Sequence, residues 1–260
     1  SKQKRMEAEH KKLQREYIVK IQEGSNLLKQ QVEQTQELVH ILCHDLVNAI
    51  CCVLGAIEIM DEDKVYNEEY TELATSALQE ALDVVNLVRT MRALEAGKQK
   101  LELAPVNLHA AVKKSLMLLK TKSTEKSVKI NTEIADDINI TAEKTSLINS
   151  VINNILTNAI KFSHRDSQID ISAIETDDTV TLIIQDHGRG IPADMIKDIF
   201  DSSKPTSRPG TEGESGTGFG MPLVKKFLTE YGGGIQVESV EESEGVTEHG
   251  TKISLIFQKG

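Results

Sequence analysis

The sequence predicts a protein in two parts, a helical part over about residues 1–97 and a mixed α+β part from about residue 101 to the end. In the first part, apolar residues recur at alternating steps of three and four, which is the spacing of one helix face. In the second part, short β-like runs alternate with helical runs, which is typical of a mixed α+β domain. The 260 residues, 39% of them apolar, are enough for one large domain or two ordinary ones.

Residues 1–60 are predicted to form one long helix, because they contain no proline and only two glycines, Gly24 and Gly55. A heptad pattern of apolar-biased positions runs from Ile18 to Met60 over about six heptads. A two-chain coiled coil that leads into a helical bundle is the simplest structure that buries such a pattern.

A second helix is predicted from about Glu68 to Ala96, after the polar segment 61–67 and before Gly97, which is a favourable C-terminal stop. The two helices then form a hairpin with a long N-terminal extension. A single hairpin buries only one face, whereas two hairpins make a four-helix bundle. The sequence therefore predicts a homodimer.

The second part is predicted to contain strands and helices in alternation. The strands are Val128–Ile134, Ile169–Glu175, Val180–Gln185, Ile235–Ser239 and Lys252–Phe257, and the helices lie at about 107–124, 143–162 and 219–231. Glycine, serine, threonine and proline concentrate between Ser202 and Gly220. We predict a long mobile loop there, of a length that is usually functional or disordered.

Charge and cysteine content argue against several classes of protein. With 40 acidic residues against 30 basic ones, the net charge of −10 is unlike that of a general nucleic-acid-binding protein. Cys43, Cys51 and Cys52 have neither metal-ligand spacing nor the pattern of a disulfide framework, and they indicate a reducing compartment. The longest apolar run, Ala49–Ile57, is too short to span a bilayer.

Because the chain starts at Ser1 without a methionine, we expect an upstream part that is missing from it.

The first candidate for chemistry is His44, with Asp45 beside it and Asn48 four residues further on. With Leu42 and Leu46 in the heptad pattern, His44 points away from the coil, and Asn48 shares its face. An outward imidazole can act as a nucleophile, the carboxylate of Asp45 can orient it or take its proton, and Asn48 can position a water. The alternative interpretation is a surface histidine beside an aspartate.

The second candidate is the polar face of the helix predicted at 143–162. Asn154, Asn158 and Lys161 are spaced i, i+4 and i+7, so they lie on one side of this helix, opposite its apolar face. Two carboxamides can offer hard oxygen atoms to Mg²⁺, and a nearby lysine can meet the charge of a phosphate. The alternative interpretation is the polar face of a surface helix.

The third candidate follows the strand Val180–Gln185, where Asp186 is succeeded by Gly188 and Gly190. A carboxylate at a strand end can accept a hydrogen bond from an exocyclic amine, and the glycines would let a flat base come close. The alternative interpretation is a tight strand-to-helix turn, with Pro192 at the start of the helix.

The fourth candidate is the glycine motif made by Gly216, Gly218 and Gly220, which opens the helix predicted at 219–231. Glycines at a helix N-terminus expose backbone N–H groups to an anion such as a triphosphate. The motif is neither a Walker sequence, since no Lys-Ser/Thr follows it, nor a dinucleotide fingerprint, since no βαβ unit surrounds it.

The order of these motifs is specific. A helical hairpin with His-Asp-x-x-Asn, followed by Asn-x-x-x-Asn-Ala-x-Lys-Phe, Asp-x-Gly-x-Gly-Ile and Gly-x-Gly-x-Gly, resembles the sensor histidine kinases of two-component signalling, over about residues 15–260. The resemblance implies an N-terminal coiled-coil signalling helix over 1–37, a dimerisation and histidine phosphotransfer hairpin over 38–97, and a catalytic ATP-binding domain over 98–260. The last domain is expected to be a Bergerat-type α/β sandwich, with helices packed on one face of a mixed sheet.

The resemblance implies catalytic roles for three hairpin residues. His44 matches the phosphoacceptor, Asp45 the neighbouring acid that accepts the imidazole proton, and Asn48 the position that the family links to phosphatase action. Ala49 departs from the family pattern, which usually has a proline there. A proline would bend the helix just after the phosphoacceptor, so the absence of this bend is expected here.

The resemblance also implies ATP and Mg²⁺ as ligands of the catalytic domain. In that domain Asn158 matches the Mg²⁺-binding asparagine, with Asn154 beside it, and Lys161 matches a phosphate contact. Asp186 matches the acceptor of the adenine amine, and Gly188 and Gly190 are expected to line the base pocket. The glycine box at the end of the ATP lid is matched by Gly216, Gly218 and Gly220.

The implied activity is ATP-dependent autophosphorylation of His44, followed by transfer of the phosphoryl group to an aspartate of a response-regulator receiver domain. Phosphatase action on the same partner is a further activity that the resemblance allows. The implied partners are a second copy of the chain, the response regulator, and an upstream sensor domain missing from this chain, with no nucleic acid and no direct membrane contact. The expected location is the cytoplasm, and the full-length protein can be membrane-attached.

Two other functions stay open at this point. A catalytically weak, kinase-like dimer could act as a signalling scaffold or a phosphatase-biased module, because Ser203 and Lys204 stand where aromatic residues are common before the lid. An ATPase of the same superfamily, such as a chaperone or a mismatch-repair protein, is disfavoured. Those proteins lack a histidine-bearing hairpin, and they typically have an acidic base where this chain offers Asn154.

Overall fold

The structure is a computed structural model that describes most of the chain from residue 101 onward and short stretches before it. The described residues are 14, 17–22, 24–25, 29, 47, 50–60, 70–71, 74–75, 77–78, 81–82, 85, 101–201, 204, 206–214, 216, 218–243, 245 and 247–260. The chain divides into two compact units, Ser1–Val85 and Asn86–Gly260. The domain boundaries at residues 37 and 97 stay predictions.

In the N-terminal unit every described residue is helical, in agreement with the predicted helical part. The longest described stretch is 50–60, where Ala56 is buried and the sulfur of Met60 accepts a hydrogen bond from the hydroxyl of Thr71 at 3.8 Å. Both of these first-helix positions belong to the predicted heptad pattern. Most of that pattern lies outside the described residues. Within the part of the chain that the structure describes, no helix is long and apolar enough to cross a membrane.

The C-terminal unit is built on two sheets. The strands are β1 (Ala104–Asn107), β2 (Lys129–Glu133), β3 (Asn139–Ala142), β4 (Gln168–Glu175), β5 (Thr179–Asp186), β6 (Gly234–Val240) and β7 (Gly250–Gln258). The large sheet has the order β2-β4-β5-β7-β6, in which β2 and β4 are parallel and the other neighbours are antiparallel. Strands β1 and β3 form a separate antiparallel pair.

The helices of this unit lie between the strands. They are α1 (Leu108–Leu118), α2 (Lys120–Glu125), α3 (Lys144–Ser146), α4 (Asn153–Phe162) and α5 (Gly220–Glu230). A π-helical segment, Leu147–Ile152, joins α3 to α4, and we call the continuous stretch from α3 to α4 the asparagine helix. Side-chain caps start two of these helices: Asn107 accepts from the amide of Ala110, and Glu143 accepts from the amides of Thr145 and Ser146.

The core lies between one face of the large sheet and the helices. Helix α4 packs against β5, and α5 packs against β6 and β7. Successive side chains of a strand point to opposite faces, so Val180, Leu182 and Ile184 of β5 are all buried, and Ile253, Leu255 and Phe257 of β7 are buried beside them. Burial of each such side chain contributes about 1.5–3 kcal/mol to folding.

The observed elements agree with most of the predicted ones. The predicted strands correspond to β2, β4, β5, β6 and β7, and the helices predicted at 143–162 and 219–231 are confirmed. The helix predicted at 107–124 is divided at Leu119 into α1 and α2. Strands β1 and β3 have no predicted counterpart, because four residues are too few to show a period-2 pattern, and β1 contains Pro105. The unit is an α/β sheet-based domain, as the sequence predicts.

Candidate functional site

Asp186 is the last residue of β5, where the alternation that buries every second residue of the strand continues. Its carboxyl group is therefore on the buried face, and Asp186 is only 5% exposed. The Oδ1 atom accepts hydrogen bonds from the backbone amides of Gly188 (3.0 Å) and Thr251 (3.2 Å). Burial raises the pKa of Asp186 to about 6, against the opposing effect of these hydrogen bonds. The Oδ2 atom is suited to accept a hydrogen bond from a ligand.

The turn after β5 packs directly against the end of the asparagine helix. The amide of Arg189 donates to the carbonyl of Phe162 at 3.1 Å, and a Cβ atom on Gly188 would collide with that same carbonyl. Gly190 has a φ of +67°, and a Cβ atom there would collide with the carbonyl of Val240. The protein's own backbone therefore requires both glycines. This geometry supports a tight turn, and the glycines do not by themselves indicate a ligand.

Two residues that the sequence analysis missed support this turn. Thr251 lies opposite Asp186 in the pairing of β5 with β7, which is why its amide reaches the carboxylate. His249, just before β7, donates from Nδ1 to the carbonyl of Gly188 at 2.6 Å. No local sequence pattern marks either residue, because only the register of β5 on β7 brings them to the turn.

The asparagine helix presents the predicted polar face. Asn154, Asn158 and Lys161 are all half-buried, and their spacing in α4 places them on one side. Nδ2 of Asn154 donates to the carbonyl of Ser150 at 2.6 Å, so Oδ1 of Asn154 stays available as an acceptor. Among the described residues, none forms a hydrogen bond with the carboxamide of Asn158. Two carboxamide oxygens one helical turn apart are hard donors of the kind that Mg²⁺ accepts.

The glycine motif lies against this polar face. A Cβ atom on Gly216 would be 2.6 Å from Nζ of Lys161, and one on Gly220 would be 2.8 Å from Oδ1 of Asn154. Gly218 has a φ of +77°, which is a conformation that favours glycine. Two motifs that are separated in sequence by β4 and β5 therefore meet in the folded unit.

The start of α5 is suited to bind an anion. Within the described residues, no side chain caps this helix, which begins at Gly220. Pro222 lies in the first turn, where its missing N–H removes no helical hydrogen bond. The positive end of the helix dipole attracts negative charge, and the ammonium group of Lys161 lies beside Gly216, just before this helix.

The predicted site residues of the C-terminal unit thus form two groups that share the asparagine helix. The first group consists of Asp186, Gly188 and Gly190, in a turn that packs on the C-terminal end of this helix through Gly188 and Arg189. The second group lies along its polar face and consists of Asn154, Asn158, Lys161, Gly216, Gly218 and Gly220. The predicted hairpin residues His44, Asp45 and Asn48 lie outside the described residues.

The chain matches one protein-family model over residues 143–260, that of the histidine kinase-, DNA gyrase B-, and HSP90-like ATPases. The match begins at the cap of the asparagine helix and ends at the last residue. It therefore includes both groups of site residues.

Curated proteins that resemble the chain include sensor proteins and histidine kinases. Sensor protein KdpD of Clostridium acetobutylicum is 26% identical over 242 residues, which is 90% of this chain and 26% of KdpD. The chain spans between 26% and 66% of the length of the first three curated relatives that it matches.

Solved structures with the same fold are also histidine kinases. The histidine kinase AdeS of Acinetobacter baumannii matches with a TM-score of 0.66 and 18% identity, over 83% of this chain and 97% of that one. The histidine kinase ThkA, in a crystal structure with the response regulator protein TrrA, matches with a TM-score of 0.62 and 20% identity, over 84% of this chain and 60% of that one.

Proposed function

We propose that this chain carries the catalytic domain of a sensor histidine kinase and that it is an ATP-dependent protein-histidine kinase that phosphorylates itself on His44. The observation that carries the proposal is the meeting of two motifs on the asparagine helix. The glycine motif lies against Asn154 and Lys161, and the start of α5 lies beside them. These groups offer donors and positive charge to a polyphosphate.

The base of ATP would be recognised by Asp186. Both hydrogen bonds from the protein fall on Oδ1, so Oδ2 can accept one from the exocyclic amine of adenine. The turn formed by Gly188 and Gly190 would line the base pocket, since it packs beside this carboxylate. The triphosphate would extend towards Lys161, the glycine motif and the first amides of α5.

Mg²⁺ would be held by Asn158, with Asn154 beside it. The donor set fits this ion, because Mg²⁺ usually takes one or two oxygen atoms from the protein and fills its other positions with water and phosphate oxygens. Asn158 has no hydrogen-bond partner among the described residues, so its carboxamide oxygen can serve as a ligand. The ion would neutralise the charge that develops on the phosphate oxygens.

The transfer would take place at the hairpin. As the bond from the γ-phosphorus to the bridging oxygen breaks, a bond from phosphorus to an imidazole nitrogen of His44 forms. ADP leaves with the bonding electron pair, and Asp45 takes the imidazole proton. In a second step the P–N bond breaks, and the phosphoryl group passes to a carboxylate oxygen on the response regulator. Asn48 would position the water for phosphatase action.

The partner would be an aspartate-bearing response regulator, by analogy with ThkA, whose structure is a complex with the response regulator TrrA. An upstream sensor domain, outside this chain, would supply the signal. Because both ATP and the response regulator must reach the chain, the cytoplasm is its proposed location.

The working form would be a homodimer joined through the helical part. On the stretch 50–60, Ile50, Leu54 and Ile57 are 51%, 53% and 51% exposed, and their spacing places them on one face. A second copy of the chain would cover this face in a four-helix bundle over 38–97, preceded by a coiled coil over 1–37. Residues 98–260 would then be the catalytic domain.

The direct test is incubation of the chain with Mg²⁺ and γ-labelled ATP. Protein-bound label that is lost in acid and kept in base identifies phosphohistidine. We expect label on the wild type and on His40→Ala, a control on the same helix, and none on His44→Ala or Asn158→Ala. A chain that binds ATP but takes up no label would contradict kinase activity and favour a scaffold or phosphatase-biased module. Label that persists in His44→Ala would contradict the assigned phosphoacceptor.

A further inference from the structure

Lys126 is a lysine in the core of the C-terminal unit. It is only 3% exposed, although lysine is almost never fully buried unless its charge is paired. It ends α2 at the C-cap, and the next residue, Ser127, has a φ of +55°, which turns the chain into β2. This turn places the lysine beside the loop after the asparagine helix, where the amide of Asp166 donates to the carbonyl of Lys126 at 3.4 Å.

The ammonium group of Lys126 has two partners. Its Nζ donates to the carbonyl of Lys161 at 2.7 Å and to Oε1 of Glu214 at 2.5 Å. A buried charge without a partner is strongly unfavourable, so these two contacts are what allow Lys126 to be charged inside the domain. The carbonyl belongs to the last turn of the asparagine helix, where a positive charge also interacts favourably with the helix dipole.

Glu214 belongs to the segment 206–214, which we call the glutamate loop. Thr211 of this loop also reaches the end of the asparagine helix, since its amide donates to the carbonyl of Lys161 (3.1 Å) and its hydroxyl to the carbonyl of Ser163 (2.6 Å). Lys126 and Thr211 therefore attach the loop to the same end of the same helix.

The glutamate loop packs on the side chain of Lys161. A Cβ atom on Gly210 would lie 2.7 Å from Cγ of Lys161, and Gly216, just after the loop, is next to its Nζ. The side chain of Glu214 is close to Gly210 as well. The position of the loop thus defines the space in which the ammonium group of Lys161 can lie.

We infer that Lys126 is a positioning residue for nucleotide binding: through Glu214 it holds the glutamate loop on the end of the asparagine helix, and so keeps Lys161 beside the glycine motif. The inference rests on the proposed function, because it assigns Lys161 and the glycine motif to the phosphates. Lys126 itself touches neither the glycine motif nor Asp186 among its described contacts.

The ionisation of Glu214 agrees with this arrangement. Partial burial acts to raise the pKa of its carboxyl group, but the hydrogen bond from Lys126 and those from backbone amides outweigh it and hold the pKa below its ordinary value. Glu214 is therefore ionised, and the contact with Lys126 is an ion pair, at neutral pH.

The loop contains a matched control two residues away. Glu212 pairs with Arg165 at 2.8 Å, and this second ion pair also connects the loop to the body of the domain. Its side chains are 54% and 41% exposed, whereas those of Lys126 and Glu214 are 4% and 35% exposed. Exposed ion pairs contribute little because water and salt screen them, so loss of the Glu212 pair should leave the loop in place.

The first test is amide hydrogen exchange of the whole chain without nucleotide, in Lys126→Met, Glu214→Gln and Glu212→Gln. We expect exchange in peptides from 206–214 to become faster by about tenfold or more in the first two variants and to stay unchanged in Glu212→Gln. Peptides from β5 and β7 should be unchanged in all three. Glu214→Gln keeps a polar side chain at the half-exposed position of the ion pair, so it replaces Lys126→Met in the test if Lys126→Met does not fold. Equal acceleration in β5 and the loop, or none in Glu214→Gln, would overturn the inference.

The second test is the affinity for ATP with Mg²⁺. Lys126→Met and Glu214→Gln should each weaken it by about tenfold, and the double variant should lose little more, since both changes remove one interaction. In autophosphorylation the loss should fall on KM for ATP rather than on kcat. Wild-type affinity in both variants would overturn the inference while leaving the proposed function intact. A wild-type chain that binds no ATP would overturn the proposed function, and the exchange rates would then decide whether Lys126 holds the loop.

Discussion

Asp186 illustrates how the position of one residue in a strand sets its chemistry. The alternation of β5 turns its carboxyl group to the buried face, where burial raises its pKa to about 6. A ligand would use the Oδ2 atom of the carboxylate as a hydrogen-bond acceptor, but burial makes the ionised carboxylate lower the stability of the folded protein. Binding and stability therefore have opposite requirements at this residue.

The first prediction concerns the pH dependence of stability in Asp186→Asn. The pKa of Asp186 is raised from 3.8 to about 6 in the folded state, so its contribution to stability is present below about pH 4 and is lost as the pH rises through about 6. Asparagine cannot ionise, so the variant does not lose stability in this way as the pH rises. Relative to wild type, Asp186→Asn should therefore gain about 2 kcal/mol in free energy of unfolding between pH 4.5 and 7.5. Urea unfolding across this range measures the difference.

Parallel pH profiles for the two proteins would contradict the raised pKa. The same variant should bind ATP at least about tenfold more weakly, because an amide Nδ2 in place of Oδ2 presents a donor to the donor amine of adenine. A variant that is more stable at pH 7.5 and yet binds ATP more weakly would separate the two requirements at this position.

At the scale of secondary-structure elements, the asparagine helix is attached at both ends. At its start, Oγ of Ser146 and the hydroxyl of Tyr231 share a buried hydrogen bond of 2.7 Å, which joins it to the end of α5. At its end, the carbonyl of Phe162 accepts from the turn after β5. These two attachments fix the position of a helix whose polar face lies against the glycine motif and whose end packs on the Asp186 turn.

Tyr231→Phe should loosen the first attachment. The variant loses the buried hydrogen bond to Ser146, but Ser146 keeps its contact with Oε2 of Glu143 at 2.5 Å, so no polar atom is left without a partner. We expect the free energy of unfolding to fall by about 1 kcal/mol. Tyr17→Phe is the control, because Tyr17 is 64% exposed. Equal effects of the two substitutions in urea unfolding would be at odds with this assignment.

Gly188→Ala should break the second attachment. The added methyl group would collide with the backbone carbonyl of Phe162, which cannot move aside as a side chain can. We expect a loss of about 1–3 kcal/mol in free energy of unfolding, measured by thermal or urea unfolding. Gly234→Ala is the matched control, since no atom lies within 4 Å of a Cβ there. A Gly188→Ala protein as stable as the control would show that the turn is not tightly packed.

At the scale of the whole molecule, the chain combines an α/β domain with a helical unit whose described surface is partly apolar. Ile50, Leu54 and Ile57 share an exposed face on the stretch 50–60. A face of large aliphatic side chains at helical spacing is normally covered by another helix. In the proposed kinase this unit would present His44, so the assembly of the helical part and the chemistry of the α/β domain would be parts of one function.

The double substitution Ile50→Glu and Leu54→Glu should convert a dimer into a monomer, because it places charges in the predicted interface. Sedimentation equilibrium measures the mass. Ile174→Glu is the control, since Ile174 is 56% exposed but lies on β4 of the other unit. A monomeric wild type, or a doubly substituted chain that stays dimeric, would exclude this face as the dimer contact.

The local features of the protein follow from the sequence alone. Periodicity located the five long strands and the asparagine helix, put Asn154, Asn158 and Lys161 on one face, and placed Asp186 at the end of β5. Each of these follows from residues within a few positions of one another, which is the range over which helix and strand periods act. The roles of His44, Asp45 and Asn48 stay predictions, because these residues lie outside the described part of the chain.

Contacts between residues that are distant in sequence are visible only in the folded structure. The pairing of β1 with β3, the amide of Thr251 on Asp186 from 65 residues away, and the contact of Lys126 with Glu214 across 88 residues all lack a local signal. The folded structure also shows that the carbonyl of Phe162 leaves no room for a side chain at Gly188. Register and packing bring such groups together only when the sheet and helices have assembled, and no spacing in the sequence specifies that assembly.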